Sequence, residues 1–423
     1  MISLFIFTSS ARGMNYGIGT YISELTRELL KHNDLNIFLV SYNSCNVKEL
    51  TIYTSSNAFV NIYVPRPINL IDNEIQTVKY AARIVDLLNG VFEKSTNVVI
   101  QVNFPSSLSI VKEIKRRFNF PVLSVIHSAN WQFLTIGNKQ KFIEVWERRE
   151  LYDKNSLKEL NEEMELYEVA DKIVSVTDYM KKFVVDYYSI DSSKVSVIRN
   201  GMDCSEFSIP TKIGKKTLKE QLGFGSTDKI VLYVGRLDNG KGLQQLLEAF
   251  NEVFIKDKSI KLVIIGEDSG SESIKQFLSC LKDSWCNVTF TGFLVHADVV
   301  KFYQIADAGI LPSLYDHCPY VALEMAAHDI PLIISDTEGL NEMFDQEQAF
   351  YIEPVVDVRG RITFDKFETA NAIITMLNDA KKRHKLVRHY PGLIKTKFSG
   401  SRMGNEMYKV LKNLINGDKV NDG

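Results

Sequence analysis

Short apolar runs of strand length alternate with helical stretches along almost the whole chain. The runs predicted as strands are Ile2–Phe7, Asn36–Ser41, Val60–Val64, Val98–Val102, Val122–Ile126, Lys172–Val176, Val195–Ile198, Ile230–Val234, Lys261–Ile265, Val288–Thr291, Ala308–Leu311, Leu332–Ile334 and Phe350–Ile352. This alternation is typical of a parallel sheet with helices on both faces. The sequence therefore predicts an α/β protein.

The alternation is interrupted near Asn200–Asp203 and then restarts. The interruption continues into the polar, proline-containing stretch CSEFSIPTKIGKK, which resembles a linker. A chain of 423 residues is also longer than a single core usually supports. We therefore predict one domain at 1–203, a second at 204–392, and a terminal segment at 393–423. In this segment apolar residues recur at helical spacing: Phe398, Met403, Met407, Val410, Leu411 and Leu414.

Composition argues against several classes of function. The formal net charge is −2, so no strong positive field favours nucleic acid. No apolar run is long enough for a membrane span, and the start MISLFIFTSS lacks the basic region and cleavage site of a secretory signal, so a cytoplasmic protein is expected. The five cysteines contain no CxxC pair, so we expect reduced thiols and no metal site.

A short basic helix is predicted at Val111–Phe118. Its cations are Lys112, Lys115, Arg116 and Arg117. Such a group is either simply solvated or makes weak peripheral contact with an anionic surface, here the inner membrane face.

Two acids frame a helix start in the stretch from Leu311 to Phe344. Asp316 lies in the loop after a strand, and Glu324 lies eight residues later in a short helix. The first amides of a helix attract phosphate, whereas carboxylates beside them repel it and accept hydrogen bonds from hydroxyls. A ligand with both a diphosphate and sugar hydroxyls fits this arrangement. Two ordinary solvated acids are the alternative.

A second candidate site follows the strand Ile230–Val234. Gly235-Arg236 comes directly after it, and Lys241-Gly242 comes directly before the next helix. Arginine and lysine beside glycines suit a diphosphate. The loop is not a magnesium-nucleotide P-loop, because Gly242 stands where that motif requires Ser or Thr.

Two features of the first half lie at predicted strand ends. Gly17 and Gly19 allow close approach of a ligand, but Ile22 replaces the third glycine of a dinucleotide motif. His127 ends the strand Val122–Ile126 and either points into the crevice or is structural.

The charged, aromatic segment from Trp131 to Tyr167 is predicted to be helical. It forms either a solvated hairpin or a wall of an acceptor site.

Taken in order, these motifs resemble the group 1 (family 4) retaining glycosyltransferases. The residues that carry the resemblance are Gly17/Gly19, His127, Asn200-Gly201-Met202-Asp203, Gly235-Arg236-Leu237, Lys241-Gly242, Ile265-Gly266-Glu267, Phe290-Thr291-Gly292-Phe293 and the pair Asp316 and Glu324. The resemblance implies the GT-B fold, with two Rossmann-like, doubly wound domains facing across a cleft. It also implies that the C-terminal domain holds the donor and that the last helix crosses back to the N-terminal domain.

The resemblance implies a role for each matching residue. Arg236 and Lys241 are expected to bind the donor diphosphate, Asp316 to contact the transferred sugar, and His127 to contact the sugar or the phosphate. Glu324 is expected to accept hydrogen bonds from the ribose. The other expected donor-binding residues are Gly17, Gly19, Gly235, Gly266, Glu267, Phe293, Pro319, Tyr320, Val321 and Ala322, of which the last three bring helix-start amides to the β-phosphate.

The resemblance further implies metal-independent transfer without a cofactor. The donor is a nucleotide diphosphate sugar, with UDP favoured by its frequency in the family, and the acceptor is a glycan, lipid-linked saccharide, small molecule or peptide. The alternatives are a non-catalytic sugar-nucleotide-binding or partner subunit and a GT-B-fold sugar-nucleotide epimerase. Asp316, Pro319 and Asp329 stand where the family usually has Glu, Gly and Gly, respectively. The departures at Asp316 and Pro319 leave the identity of the transferred sugar undetermined.

Overall fold

The computed structural model describes residues 1–9, 17–67, 74–152, 156–204, 212–267 and 274–417. Residues 205–211 of the predicted linker lie outside these ranges.

The strands are β1 (Ile2–Ser9), β2 (Leu35–Ser44), β3 (Thr51–Ser56), β4 (Phe59–Pro65), β5 (Val98–Val102), β6 (Val122–Ile126), β7 (Lys172–Ser175), β8 (Val195–Val197), β9 (Lys229–Val234), β10 (Ile260–Ile265), β11 (Val288–Gly292), β12 (Ala308–Leu311), β13 (Leu332–Ser335), β14 (Ala349–Ile352), β15 (Pro354–Val356) and β16 (Ile362–Phe364). The α-helices are α1 (Gly17–Leu29), α2 (Glu74–Phe92), α3 (Leu108–Phe118), α4 (Asn130–Thr135), α5 (Lys139–Glu147), α6 (Lys158–Val169), α7 (Asp178–Tyr188), α8 (Lys212–Gln221), α9 (Leu243–Lys256), α10 (Ile274–Ser279), α11 (His296–Ile305), α12 (Tyr320–Ala327), α13 (Lys366–Asn378), α14 (Ala380–Val387), α15 (Tyr390–Lys397) and α16 (Gly400–Asn416).

The chain divides into two compact units. Unit 1 contains Met1–Asn130, Glu147–Asp203 and Phe398–Gly423, and unit 2 contains Trp131–Trp146 and Cys204–Lys397. The ranges inferred from the sequence differ from these units in two places. Trp131–Trp146 belongs to unit 2, and residues 393–397 also belong to unit 2.

Unit 1 is built on an eight-stranded sheet. Its strand order is β3-β4-β2-β1-β5-β6-β7-β8, and every pairing is parallel except that of β3 with β4. β1 lies between β2 and β5, and all but the last of its residues are buried. β3 was not predicted, because all six of its residues are exposed and no apolar alternation marks this edge strand.

Unit 2 is built on a six-stranded parallel sheet with the order β11-β10-β9-β12-β13-β14. This is the doubly wound order of a Rossmann fold, and the winding direction reverses between β9 and β12. Helices α9 and α13 contribute buried residues such as Leu246, Phe250 and Ile373 to the core of this unit. In such sheets ligands bind outside the carboxyl ends of the strands at the reversal point. That point is where the loops from β9 and β12 begin.

The terminal helix α16 packs against α1 in unit 1. Met403, Met407 and Leu411, from the predicted stripe, are completely buried. The Tyr408 hydroxyl donates to the Asp34 carboxylate at 2.8 Å. Gly404 lies where a Cβ would come 2.5 Å from the Glu28 Cβ, so α1 and α16 approach closely because this residue has no side chain.

This close approach predicts the effect of replacing Gly404 by alanine. Alanine in a helix interior normally stabilises by about 0.5–1 kcal/mol relative to glycine. At Gly404 the clash with Glu28 should outweigh that gain and lower the free energy of unfolding in urea. The control is Gly90→Ala in α2, where an added Cβ meets nothing within 4 Å and should stabilise. A stabilised Gly404→Ala protein would contradict the packing of α16 on α1.

Candidate functional site

The loops that follow β9 and β12 interlock at the reversal point of the unit 2 sheet. The Leu314 amide donates to the Gly240 carbonyl at 2.9 Å. Gly242 has φ 67°, and a Cβ there would lie 1.8 Å from the Pro312 carbonyl oxygen. Only glycine permits both this conformation and this contact. The loop after β9 is therefore held directly against the loop that carries Asp316.

Arg236 follows β9 and lies in the first of these loops. Its Nε donates to the Asp238 carboxylate at 2.8 Å, and the Arg236 side chain keeps a third of its surface exposed. The Asp238 carboxylate also accepts from the Lys241 amide at 3.2 Å, which caps the turn Asn239–Lys241. The contact between Arg236 and Asp238 uses Nε, so the two terminal guanidinium nitrogens remain available to a ligand.

Lys241 and Asp316 form an ion pair between the two loops. Lys241 Nζ lies 2.6 Å from Asp316 Oδ2, and both side chains are mostly buried. The same oxygen accepts from the Ser313 hydroxyl at 3.1 Å, and Oδ1 accepts from the His317 amide at 3.1 Å. Asp316 is thus fixed in orientation. The structure brings together two residues that lie far apart in the sequence and were both expected in the site.

Glu324 lies on α12 and is nearly buried. Its Oε2 accepts a hydrogen bond from the Tyr303 hydroxyl at 2.6 Å, while Oε1 lies 4.0 Å from His296 Nδ1. Burial, and then the Glu324 charge, keep the pKa of Tyr303 well above its usual value, so the phenol stays protonated and donates. Tyr303 has no sequence signal, because α11 reaches Glu324 only through the tertiary fold.

The start of α12 is shaped by Cys318 and Pro319. Pro319 caps the helix with φ −66°, and Cys318 adopts a left-handed conformation with φ 50°. The Ala322 amide donates to the Pro319 carbonyl at 3.1 Å. Of the three expected donor-binding residues Tyr320, Val321 and Ala322, Ala322 therefore has its amide engaged within the helix. Asp329, just beyond the helix, has φ 54°, the left-handed conformation expected from the sequence.

Three further expected residues lie on the same edge of the sheet. Gly266 follows β10, and a Cβ there would lie 1.8 Å from the Gly235 carbonyl oxygen. The Glu267 carbonyl accepts from the Leu237 amide at 3.1 Å. Phe293 follows β11, and half of its surface is exposed. Since β11, β10, β9 and β12 are neighbours in that order, these residues line the edge next to Arg236.

The segment Trp131–Trp146 packs on the Asp316 loop within unit 2. Gln132 Oε1 lies 2.8 Å from His317 Nε2, and the Phe133 ring meets the Tyr315 ring edge-on with centroids 5.5 Å apart. Trp131 is completely buried. This part of the predicted helical region is therefore not a solvated hairpin. Gln132 and His317 were missed because neither belongs to a local motif.

In unit 1, Gly17 and Gly19 form the first turn of α1, which begins three residues earlier than the predicted start near Thr20. His127 follows β6 and is half-buried. Its Nε2 lies 3.2 Å from Asn103 Oδ1, and its ring meets the Tyr21 ring edge-on at a centroid distance of 4.6 Å. Burial lowers the pKa of His127 to about 3, so the imidazole is neutral at physiological pH.

The cations of the basic helix α3 are paired within unit 1. The pairs are Lys112 with Glu165, Lys115 with Asp171, Arg116 with Glu113, and Arg117 with Asp86 and Glu113. These carboxylates offset the charge that was considered for contact with an anionic membrane surface, and that contact has no support in the structure.

No helix among the described residues has the length and apolarity needed to cross a membrane. The described ranges likewise contain no group of three or more His, Cys, Asp or Glu residues placed to hold a metal ion.

Comparison with known proteins identifies the family. A model described as "Glycosyl transferases group 1" matches residues 214–390, and one described as "Glycosyltransferase Family 4" matches residues 16–206. A sucrose-phosphate synthase from Thermosynechococcus elongatus has a similar structure, with TM-score 0.75, 19% identity, and 98% and 100% of the two chains covered. The Anabaena protein HepE in complex with UDP-glucose gives TM-score 0.72 at 13% identity, with the same coverage.

Curated relatives match over part of their length. An uncharacterized glycosyltransferase of Methanocaldococcus jannaschii is 29% identical over 42% of this chain and 45% of its own. The alpha-D-kanosaminyltransferase of Streptomyces kanamyceticus is 25% identical over 48% and 50% of the two chains. The chain thus spans about half the length of these relatives.

Two doubly wound Rossmann-like units and these structural likenesses define a protein of the GT-B fold. The two family models together account for most of the sequence, and the chain belongs to the group 1 glycosyltransferases.

The burial of His317 generates a prediction about pH. Burial lowers its pKa to about 4, whereas an unfolded histidine has a pKa of about 6.5. As pH falls between these values, the unfolded chain binds this proton and the folded chain does not, so stability is lost with acidification. Replacing His317 by glutamine should reduce the slope with which the free energy of unfolding falls on acidification by about 1.4 kcal/mol per pH unit. Urea unfolding from pH 7 to pH 4 measures this slope, and equal slopes would contradict the assignment.

Proposed function

We propose that this protein is a retaining glycosyltransferase that moves a hexose or a hexose derivative from a nucleotide diphosphate sugar to an acceptor hydroxyl. Unit 2 holds the donor and unit 1 receives the acceptor. The observation that carries the proposal is the pairing of loops at the reversal point of the unit 2 sheet, which brings Arg236, Lys241 and Asp316 to one place.

The chemistry requires stabilisation of a departing anion. Breaking the bond between sugar and phosphate places negative charge on the diphosphate and positive charge on the anomeric carbon. Arg236 and Lys241 supply cations at the position where the negative charge develops. Lys241 Nζ uses one of its three N–H groups on Asp316, so it can bind a phosphate oxygen without leaving the loop. A preorganised cradle of this kind lowers the barrier because it needs little rearrangement during reaction.

Retention follows from attack on the face that the leaving group occupies. The acceptor oxygen forms the new bond to the anomeric carbon, the bond to the phosphate oxygen breaks, and that oxygen takes the acceptor's proton. In this scheme the positive charges of Arg236 and Lys241 balance the negative charge of the departing diphosphate. Transfer is therefore proposed to be metal-independent and to use no cofactor. Asp316 Oδ2 already accepts from Lys241 and Ser313, whereas Oδ1 accepts only from the His317 amide, so Oδ1 is proposed to accept a hydrogen bond from a hydroxyl of the transferred sugar.

Glu324 is proposed to bind the ribose. Tyr303 occupies one side of Oε2, and Oε1 remains for the ribose hydroxyls. The amides of Tyr320 and Val321 at the start of α12, together with Gly235, Gly266, Glu267 and Phe293, are proposed to complete the donor site. Gly17 and Gly19, in the first turn of α1 in unit 1, are proposed as further donor-binding residues.

UDP is the proposed nucleotide. The similar Anabaena structure contains UDP-glucose, and one relative is named a lipopolysaccharide 1,2-N-acetylglucosaminetransferase, from Salmonella typhimurium. The acceptor is a glycan, a lipid-linked saccharide, a small molecule or a peptide, and the reaction is proposed to take place in the cytoplasm.

The test is incubation with a panel of UDP-, GDP- and ADP-sugars and candidate acceptors, without added metal. Acceptor-dependent nucleotide release with a glycosylated product supports the proposal. Epimerised sugar nucleotide would instead indicate an epimerase, and binding without any turnover would indicate a non-catalytic subunit.

Removing the cationic cradle should abolish most of the transfer. We expect Arg236→Ala or Lys241→Ala to lower kcat by about 10²-fold or more, as for other groups that stabilise developing charge. Lys229→Ala is the control, because Lys229 pairs with Asp257 at the opposite end of β9. Transfer by Lys241→Ala at the rate of the Lys229→Ala control would refute the role of the ammonium group.

Tyr303 should affect nucleotide binding more than chemistry. Replacing Tyr303 by phenylalanine removes the hydrogen bond that orients Glu324. We expect weaker donor binding by about tenfold, or about 1.4 kcal/mol, with kcat nearly unchanged. Tyr351→Phe provides a matched control, because the Tyr351 hydroxyl donates to the Phe344 carbonyl. An unaltered donor KM in Tyr303→Phe would show that the orientation of Glu324 does not depend on this phenol.

A further inference from the structure

Asn103 is a buried amide at the carboxyl edge of the unit 1 sheet. It follows β5, and 3% of its surface is exposed. Its Nδ2 donates to the Phe7 carbonyl at 3.4 Å, and its Oδ1 accepts from Gln101 Nε2 at 3.4 Å. Oδ1 also lies 3.2 Å from His127 Nε2. The amide therefore links three elements of the sheet edge.

The main chain decides which way this amide points. A carbonyl oxygen can only accept a hydrogen bond, so the group of Asn103 that faces Phe7 must be the NH₂. The reversed orientation would place two acceptor oxygens 3.4 Å apart with no proton between them. Oδ1 consequently faces His127 Nε2.

The orientation of Asn103 fixes the protonation of the imidazole. Because Oδ1 has no proton, the hydrogen bond at 3.2 Å requires one on His127 Nε2. Burial keeps the ring neutral, and a neutral imidazole carries only one N–H. Nδ1 is then left with its lone pair and can accept a hydrogen bond but not donate one.

We propose that Asn103 is a positioning residue that holds His127 in the Nε2–H form, so that Nδ1 accepts a hydrogen bond from a hydroxyl of the bound substrate. The substrate part of this inference rests on the proposed function. A deprotonated phosphate oxygen has no proton to offer Nδ1. The sequence resemblance left the sugar and the phosphate as possible partners of His127. The Nε2–H form favours the sugar, because only a sugar hydroxyl can donate to Nδ1.

The surroundings of His127 support a fixed, uncharged ring. The Tyr21 ring packs edge-on against the imidazole, and Tyr21 is almost completely buried. Burial raises the pKa of Tyr21, so this neighbour is a neutral phenol.

The inference is tested by nitrogen NMR of the full chain labelled with ¹⁵N-histidine, without substrate. His127→Gln identifies the signals of His127 by their loss. We expect an unprotonated Nδ1 at neutral pH and a one-bond N–H correlation at Nε2, preserved by the bond to Asn103. A proton on Nδ1, or on both nitrogens, would overturn the proposal.

Two variants of Asn103 separate positioning from a purely structural role. Asn103→Asp places a carboxylate against Nε2 and should raise the pKa of His127 by about 1–3 units. Asn103→Leu removes the acceptor and should abolish the Nε2–H correlation. Asn61→Asp is the matched control, because Asn61 bonds Ser55 in the β3–β4 strand pair. If Asn103→Asp shifts the pKa of His127 no more than Asn61→Asp does, the positioning role is wrong.

These measurements need no donor, acceptor or turnover. Failure of the transfer assay with a confirmed Nε2–H form would therefore count against the proposed function alone. A protonated Nδ1 in a protein that transfers sugar would count against the role of Asn103 alone.

Discussion

The close backbone contact between two loops is the constraint on which the unit 2 site depends. Gly242 allows the loop after β9 to lie against Pro312, and the Leu314 amide bonds the Gly240 carbonyl across the same junction. The ion pair between Lys241 and Asp316 exists because these backbones are so near. A side chain at Gly242 would push the two loops apart and separate Lys241 from Asp316. Steric freedom at one glycine thus determines the position of the charges proposed to act on the donor.

The fold was predictable from the sequence wherever a strand is buried. Val98–Val102, Val122–Ile126 and Ala308–Leu311 were predicted with the bounds the structure has, because fully buried strands appear in a sequence as nearly continuous apolar runs. β3 was missed because all its residues are exposed, and β15 and β16 were missed because each has only three residues and shows no strand-length apolar run. The predicted α/β class, the GT-B fold and the family are confirmed.

The site could be predicted only in part, for a physical reason. Arg236, Lys241 and Asp316 lie in the loops that follow β9 and β12, and topology alone sends such loops to one edge of a parallel sheet. Their proposed roles stay predictions. Tyr303, Gln132 and Asn103 reach the site residues through tertiary contacts between distant segments, so no local spacing reveals them. These partners orient the groups that the motifs supply.

The most direct test of the account is a crystal structure with a bound nucleotide diphosphate sugar, with UDP-glucose as the first donor to examine. The account predicts the diphosphate on Arg236 and Lys241 at the carboxyl ends of β9 and β12, with the ribose hydroxyls on Glu324 Oε1. A nucleotide bound elsewhere, with the Lys241–Asp316 pair and Glu324 untouched, would contradict it.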